Sequence, residues 1–255
     1  MSLEQKLTAC KLSGVQKSYE RIVKEAEDQS WSYREFFEKL IDEEIISREN
    51  NRFNRLYKKA KFPNLKTIEE FDFLKASYVD RKQINKLASC SFIDDRKNLI
   101  FIGGSGTGKT HISIALGVEA CRKGKTVSFY TAAELGNKLV EMQDSLQLAR
   151  FIEKLKKVDL LIIDELGYIE MSHTTTQLMF QIFSERYEKG SIIVNTNLEF
   201  KEWPRIFQDE RMTTAIIDRL IHNSSILTFN GESYRYRQQK EHLLGLSDKP
   251  IQQEQ

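Results

Sequence analysis

Three cysteines, three prolines and no long apolar run mark out what this 255-residue chain does without. Cys10, Cys90 and Cys121 are isolated thiols with no CxxC spacing. Their odd number excludes a complete disulfide framework, and their spacing excludes a structural zinc site. Cys90 and Cys121 border apolar runs and read as small packing residues. No stretch approaches about 18 consecutive apolar residues, so no membrane span is expected. The start, MSLEQKLTACK, lacks the apolar core of a signal peptide, and the reading is a cytoplasmic protein in a reducing compartment. Charge of one sign is missing too: 39 Lys+Arg balance 37 Asp+Glu to a net +2. That excludes a histone-like basic coat but leaves room for a local basic stripe. With 40% hydrophobic residues the chain can bury a sizeable core, which excludes wholesale disorder.

What is present divides in two. Residues 1 to about 62 hold one Gly and no Pro and read as helix throughout. Trp31, Phe36, Phe37, Leu40 and Ile41 recur at three- and four-residue spacings, with Ser30 or Ser32 as N-cap. Pro63 punctuates the end, and the expected division is a helical domain over 1–65, a larger domain over 66–245 and a flexible tail over 246–255. Beyond Pro63 the pattern changes. LIFIGG (99–104), TVSFYT (126–131), DLLIID (159–164) and SIIVNTN (191–197) read as strands. HISIALGVEACRKG reads as an amphipathic helix, 132–157 as one long polar-helical stretch, and QLMFQIFSERYEKG as a further helix. Apolar strands alternating with helices predict an α/β fold, with a parallel sheet covered on both faces.

The sharpest motif is the run Gly103, Gly104, Ser105, Gly106, Thr107, Gly108, Lys109, Thr110, with His111 next. It satisfies G-x-x-x-x-G-K-[ST] between a predicted strand and a predicted helix. Such a loop wraps a phosphate with inward N–H groups at the positive end of a helix. Lys109 would bridge the β- and γ-phosphates of ATP, and the Thr110 hydroxyl would ligate Mg²⁺. LLIIDE (160–165) supplies the matching acids at another strand tip: Asp164 for Mg²⁺, and Glu165 as the base for an attacking water. Asn195 and Asn197 end a third strand, two residues apart and so on one side. An amide there could orient the lytic water, a turn-forming Asn being the plain alternative, and Asn197 is the residue expected in the catalytic set.

A phosphate loop, a DE-ended strand and an Asn-ended strand, in that order, resemble an AAA+ ATPase. FPNLKTIEEFDF (62–73), VSFYTAAELGNKL (127–139), LLIIDELGYIE (160–170), NTNLEFKEW (195–203), AIIDRLIHNSSIL (215–227) and GESYR (231–235) narrow the match. Together they resemble the IstB-like transposition helper ATPases, related to the DnaC helicase loaders and DnaA initiators. The resemblance implies an AAA+ P-loop NTPase core with a five-stranded parallel sheet in the order 5-1-4-3-2 behind a small all-helical domain. It implies ATP hydrolysis, a homo-oligomeric ring or spiral on double-stranded DNA, target-site preparation and recruitment or activation of a separate transposase. A DnaC-like helicase loader is the alternative, and a scaffold holding ATP as a structural ligand is a third reading. Arg219 in DRL is implied as an arginine finger reaching a neighbouring subunit's ATP. Arg235 in GESYR stands where a second phosphate sensor would, although only 36 residues follow Arg219, too few for the usual helical lid. The segment near Phe71 and Phe73 would serve the adenine pocket or the plain core.

Two basic stretches are candidates for DNA. Arg48, Arg52, Arg55 and Lys59 share one helix face by their spacing, and such a row can track phosphates without reading sequence. Lys138, Arg150 and Lys154 lie in the stretch that, in the initiator and loader branch, lines the inside of the oligomer. A solvated surface is the plain alternative for both.

Overall fold

The computed structural model describes residues 1–234 and 236. The expected tail over 246–255, the region of any lid, and Arg235 lie outside the described residues. The chain divides into two compact units, Met1–Lys58 and Lys59 onward, so residues 59–65, expected with the helical domain, group with the second unit.

The first unit is helical. It holds α1 (Leu3–Ala9), α2 (Ser13–Asp28) and most of α3 (Tyr33–Ala60). Of the two candidate caps Ser32 is the one used: its hydroxyl accepts from Glu35 N–H, and Glu35 returns a bond to Ser32 N–H at 2.8 Å. Helix α2 has no side-chain cap of its own, and a residue from α3 takes that place. Buried Glu44 accepts from the Gly14 and Val15 N–H groups at 2.6 and 3.2 Å and pairs with Arg48 Nε at 2.7 Å. The Arg48 bond holds the Glu44 carboxyl below the usual glutamate range, assisted by the two backbone donors against the cost of burial. The apolar spacing read at 31–41 produces no buried stripe. Phe37 is 63% exposed and Tyr33 95%.

In the second unit α4 (Arg81–Ala88) and α5 (Ser91–Asp94) precede β1 (Asn98–Gly103). The alternation then runs α6 (Lys109–Arg122), β2 (Val127–Thr131), α7 (Ala132–Asp144), α8 (Leu148–Lys156), β3 (Leu160–Leu166), α9 (His173–Arg186) and β4 (Ser191–Thr196). It closes with α10 (Pro204–Phe207), α11 (Glu210–Ile221) and β5 (Ser224–Phe229). All neighbouring strands are parallel, in the order β2-β3-β4-β1-β5, the expected 5-1-4-3-2 read from the other edge.

Two helix readings need correction. Residues 132–157 form two helices rather than one, broken at Ser145–Gln147, where Leu146 takes a left-handed conformation at φ 57°. Helix α6 is not amphipathic in its surroundings. Ile112, Ile114, Leu116, Val118, Ala120 and Cys121 are all at 1% exposure or less, on more than one face. At Gly117 the helix meets both Ile162 of β3 and Phe62, whose ring lies edge-on to Phe129 of β2 at 6.2 Å. Leu160 to Ile163 of β3 are fully buried, each worth about 1.5–3 kcal/mol of apolar transfer. Cys90 and Cys121 are buried as expected, and Cys10 is exposed.

At the N-terminal ends of the strands Arg186 acts as a clamp. Its guanidinium, 1% exposed, donates to the carbonyls of Leu155, Val158, Asp159 and Ser191. Burial lowers its pKa to about 10, against an opposing pull from Asp159, and it stays charged at neutral pH.

A phosphate loop and paired acids at the strand tips

The opposite ends of the strands carry the candidate chemistry. Strand β1 delivers the chain to Gly103, and α6 begins at Lys109, so the glycine-rich run is a loop between strand and helix, as its motif requires. Gly108 caps α6 at φ 96°, a conformation that side chains rarely adopt, and an added Cβ would meet the Phe71 ring at 2.5 Å. Thr107 Oγ1 donates to Gly104 O at 2.9 Å. Lys109 is buried, and its ammonium donates to the carbonyls of Gly103 and Gly104 at 2.7 Å each. Burial lowers its pKa, with Asp164 pulling the other way.

Asp164 is 5% exposed, two residues before the end of β3. Its Oδ1 accepts from the Thr110 hydroxyl at 3.1 Å and from Asn195 Nδ2 at 2.8 Å. Asn195 Oδ1 in turn lies 2.7 Å from Ser113 Oγ, whose single hydroxyl hydrogen it shares with Lys109 O at 2.9 Å. One relay thus links the first turns of α6, the tip of β3 and the tip of β4. Ser113 was not singled out from the sequence; its signal was position, three and four residues beyond Thr110 and Lys109 on the same helix.

Glu165 follows at a fault in the ladder. Ile163 pairs with Val194 but Leu166 with Thr196, so β3 carries one extra residue there. Glu165 takes φ 59°, a left-handed conformation costly for a non-glycine residue. A bulge of this kind re-aims a side chain. As a result Asp164 and Glu165, adjacent in sequence, line the same cavity of about 870 Å³. Ser105 to His111 and Asn195 line it as well.

Of the two asparagines it is Asn195 that reaches Asp164. Asn197 lies beyond the last residue of β4, outside the cavity lining, and its Oδ1 is buried without a partner beside Gly167. His111 Nε2 lies 2.8 Å from Thr67 O, and since a carbonyl only accepts, that nitrogen carries the proton. Burial lowers the His111 pKa, keeping the ring neutral. Its ring meets Phe71 edge-on at 5.3 Å. Phe71 lines the cavity, whereas Phe73, which meets it edge-on at 4.8 Å, does not. Arg219 is outside the lining; it lies over the Phe180 ring at 4.9 Å and donates to Ala215 O.

The basic candidates separate by their surroundings. Arg48 is engaged with Glu44 and with Lys11 O, a packing role that the helical spacing did not reveal. Arg52, Arg55 and Lys59 are exposed on α3. Lys138 pairs with Glu141 at 2.9 Å. Arg150 and Lys154 are exposed and flank a shallow groove with Met142 and Phe151. Among the described residues no group of three or more His, Cys, Asp or Glu side chains stands ready for a metal, and no helix is long and apolar enough to cross a membrane.

Known proteins agree with this geometry. The sequence is 38% identical over 209 residues to a Geobacillus stearothermophilus protein named for ATP binding and for insertion sequence IS5376, covering 82% of this chain and 83% of that one. It is 35% identical over 238 residues to the corresponding protein named for IS21 in Pseudomonas aeruginosa, covering 93% and 90%. In fold it is similar to AMPPCP-bound DnaA from Aquifex aeolicus, at a TM-score of 0.57 and 22% identity over 75% of this chain and 59% of that one. DnaI gives a TM-score of 0.53 at 19% identity over 64% and 90%. The core is thus an AAA+ fold. The family profile for IstB-like ATP binding protein matches residues 5–242, and the chain belongs to that family.

Proposed function

We propose that this protein hydrolyses ATP and, as an oligomer on double-stranded DNA, prepares a target site and recruits or activates a separate transposase in the cytoplasm. One observation carries the hydrolytic part: a buried Asp164 bonded to the Thr110 hydroxyl, with Glu165 turned by a bulge into the same cavity. The loop N–H groups from Gly104 to Thr110 and the Lys109 ammonium would bind the phosphates. Glu165, exposed and facing the cavity, would take the proton of the attacking water. Asn195 would hold Asp164 in place, and Asn197 is left as the strand-tip amide nearest the Gly167 turn.

The donors suit Mg²⁺, a hard ion that binds through one or two protein oxygens plus substrate phosphates. Thr110 Oγ1 and an Asp164 oxygen, 3.1 Å apart, would hold it. When bound, the ion supplies charge neutralisation to the phosphates. Arg219, outside its own chain's cavity, is suited to act on the nucleotide of a neighbouring copy. The transposition context rests on the relatives named for insertion sequences. The exposed Arg52, Arg55, Lys59, Arg150 and Lys154 are the proposed phosphate-tracking residues.

The test is ATP turnover against protein concentration, with and without duplex DNA, for wild type and Arg219→Ala. A trans-acting site predicts a rate that rises faster than linearly and is stimulated by DNA, with Arg219→Ala binding ATP but turning over at background. A rate linear in protein, indifferent to duplex and untouched by the substitution would refute the shared site.

A further inference from the structure

A loop that turns its N–H groups inward on an anion turns its carbonyls outward, and those carbonyls need donors from elsewhere. Two consecutive carbonyls of this loop have them. Gly106 O accepts from Tyr234 N–H at 2.9 Å, and Thr107 O accepts from the Tyr78 hydroxyl at 3.0 Å. The donors come from distant parts of the second unit, Tyr78 from the turn-rich segment before α4 and Tyr234 from just past β5. They also brace each other. A Cβ on Gly231 would fall inside the Tyr78 ring, and Ser233 lies directly against Gly106.

The peptide plane makes this consequential. In a trans peptide the C=O of one residue and the N–H of the next point in opposite directions. Fixing Gly106 O outward fixes Thr107 N–H, and fixing Thr107 O outward fixes Gly108 N–H. The loop's other carbonyl bonds come from the loop itself, Thr107 Oγ1 to Gly104 O, and from the start of α6, Lys109 to Gly103 and Gly104 and Ile112 N–H to Gly108 O.

We propose that Tyr78 is a positioning residue for the phosphate loop, orienting the Gly108 N–H toward the phosphates through its bond to Thr107 O, with the Gly231–Tyr234 turn as its brace. It also lines the cavity, but the role proposed for its hydroxyl is exerted through the loop peptide. This inference rests on the reading that the loop binds ATP.

The experiment measures ATP, ADP and adenosine binding to the full-length protein by calorimetry, adenosine by competition, for wild type, Tyr78→Phe and Gly231→Ala. Tyr78→Phe removes only the hydroxyl. The worth of one such bond predicts that ATP and ADP Kd rise by the same factor, about fivefold, while adenosine Kd is unchanged. Gly231→Ala, which displaces the ring, should weaken the two phosphorylated ligands at least as much. Unchanged ATP affinity in Tyr78→Phe would overturn the assignment. So would equal weakening of ATP, ADP and adenosine, the mark of general damage. A wild type that binds no ATP would instead remove the proposed function itself, a result distinct from either.

Discussion

The left-handed backbone at Glu165 makes a prediction about stability that is separable from catalysis. At φ 59° an ordinary residue pays roughly 1–2 kcal/mol that glycine does not. The Glu165 side chain is exposed, so Glu165→Gly removes no packing. Against the relief stands the extra freedom of glycine in the unfolded chain, about 0.4–1 kcal/mol. The balance is a gain of about 0.8 kcal/mol, or roughly 2–3 °C in Tm for a unit of this size. Glu165→Gln is the control, because it keeps the side-chain shape and the backbone strain while removing the carboxylate. Scanning calorimetry without nucleotide should therefore rank Glu165→Gly above Glu165→Gln, with the latter close to wild type. If the Gly variant melts at or below the Gln variant, the strain is not stored at this residue.

Two further outcomes can be checked directly. Burial pushes the Cys90 and Cys121 thiols up to about 11 and 12, so at pH 8 a thiol reagent should label one cysteine, Cys10, in the native protein and all three after unfolding. His111 has a folded pKa below its ordinary 6.5 because it is buried. The unfolded chain therefore binds the proton first as pH falls, and stability present above about pH 6.5 should decline below it; in urea titrations from pH 7.5 to 5.5, His111→Gln should flatten that part of the slope.

The glycine-rich loop between strand and helix and the acids at the tip of β3 were legible because each is a short local pattern, one of glycines before a helix and one of acids ending an apolar run. The asparagines show where a local rule stops. Side chains two apart share a side only while the strand lasts, and β4 ends at Thr196, so Asn195 reaches Asp164 while Asn197 turns toward Gly167. Arg48 fitted the basic row by period, but its use is decided by Glu44 and the uncapped start of α2. The break at Leu146 has no Gly or Pro to announce it, since a non-glycine residue supplies the left-handed turn. Helix α6 looked two-sided because its small and polar members, Ser113 and Gly117, are themselves buried, one against Asn195 and the other under Phe62. Tyr78 carried no pattern, being a lone aromatic in a turn-rich segment whose partner is a backbone oxygen 29 residues away.

The Arg186 clamp has a consequence for how this protein tolerates change. Its four carbonyl acceptors gather at the entrance of β3 and β4, while Asp164, Glu165 and Asn195 stand at the exits. A lysine has a single nitrogen where the guanidinium spreads its donors over two, so no simple cationic replacement could reach all four. A saturation library scored for both yield and turnover should therefore split by edge of the sheet: losses at the entrance would appear as missing protein, and losses at the exit as abundant protein that does not work.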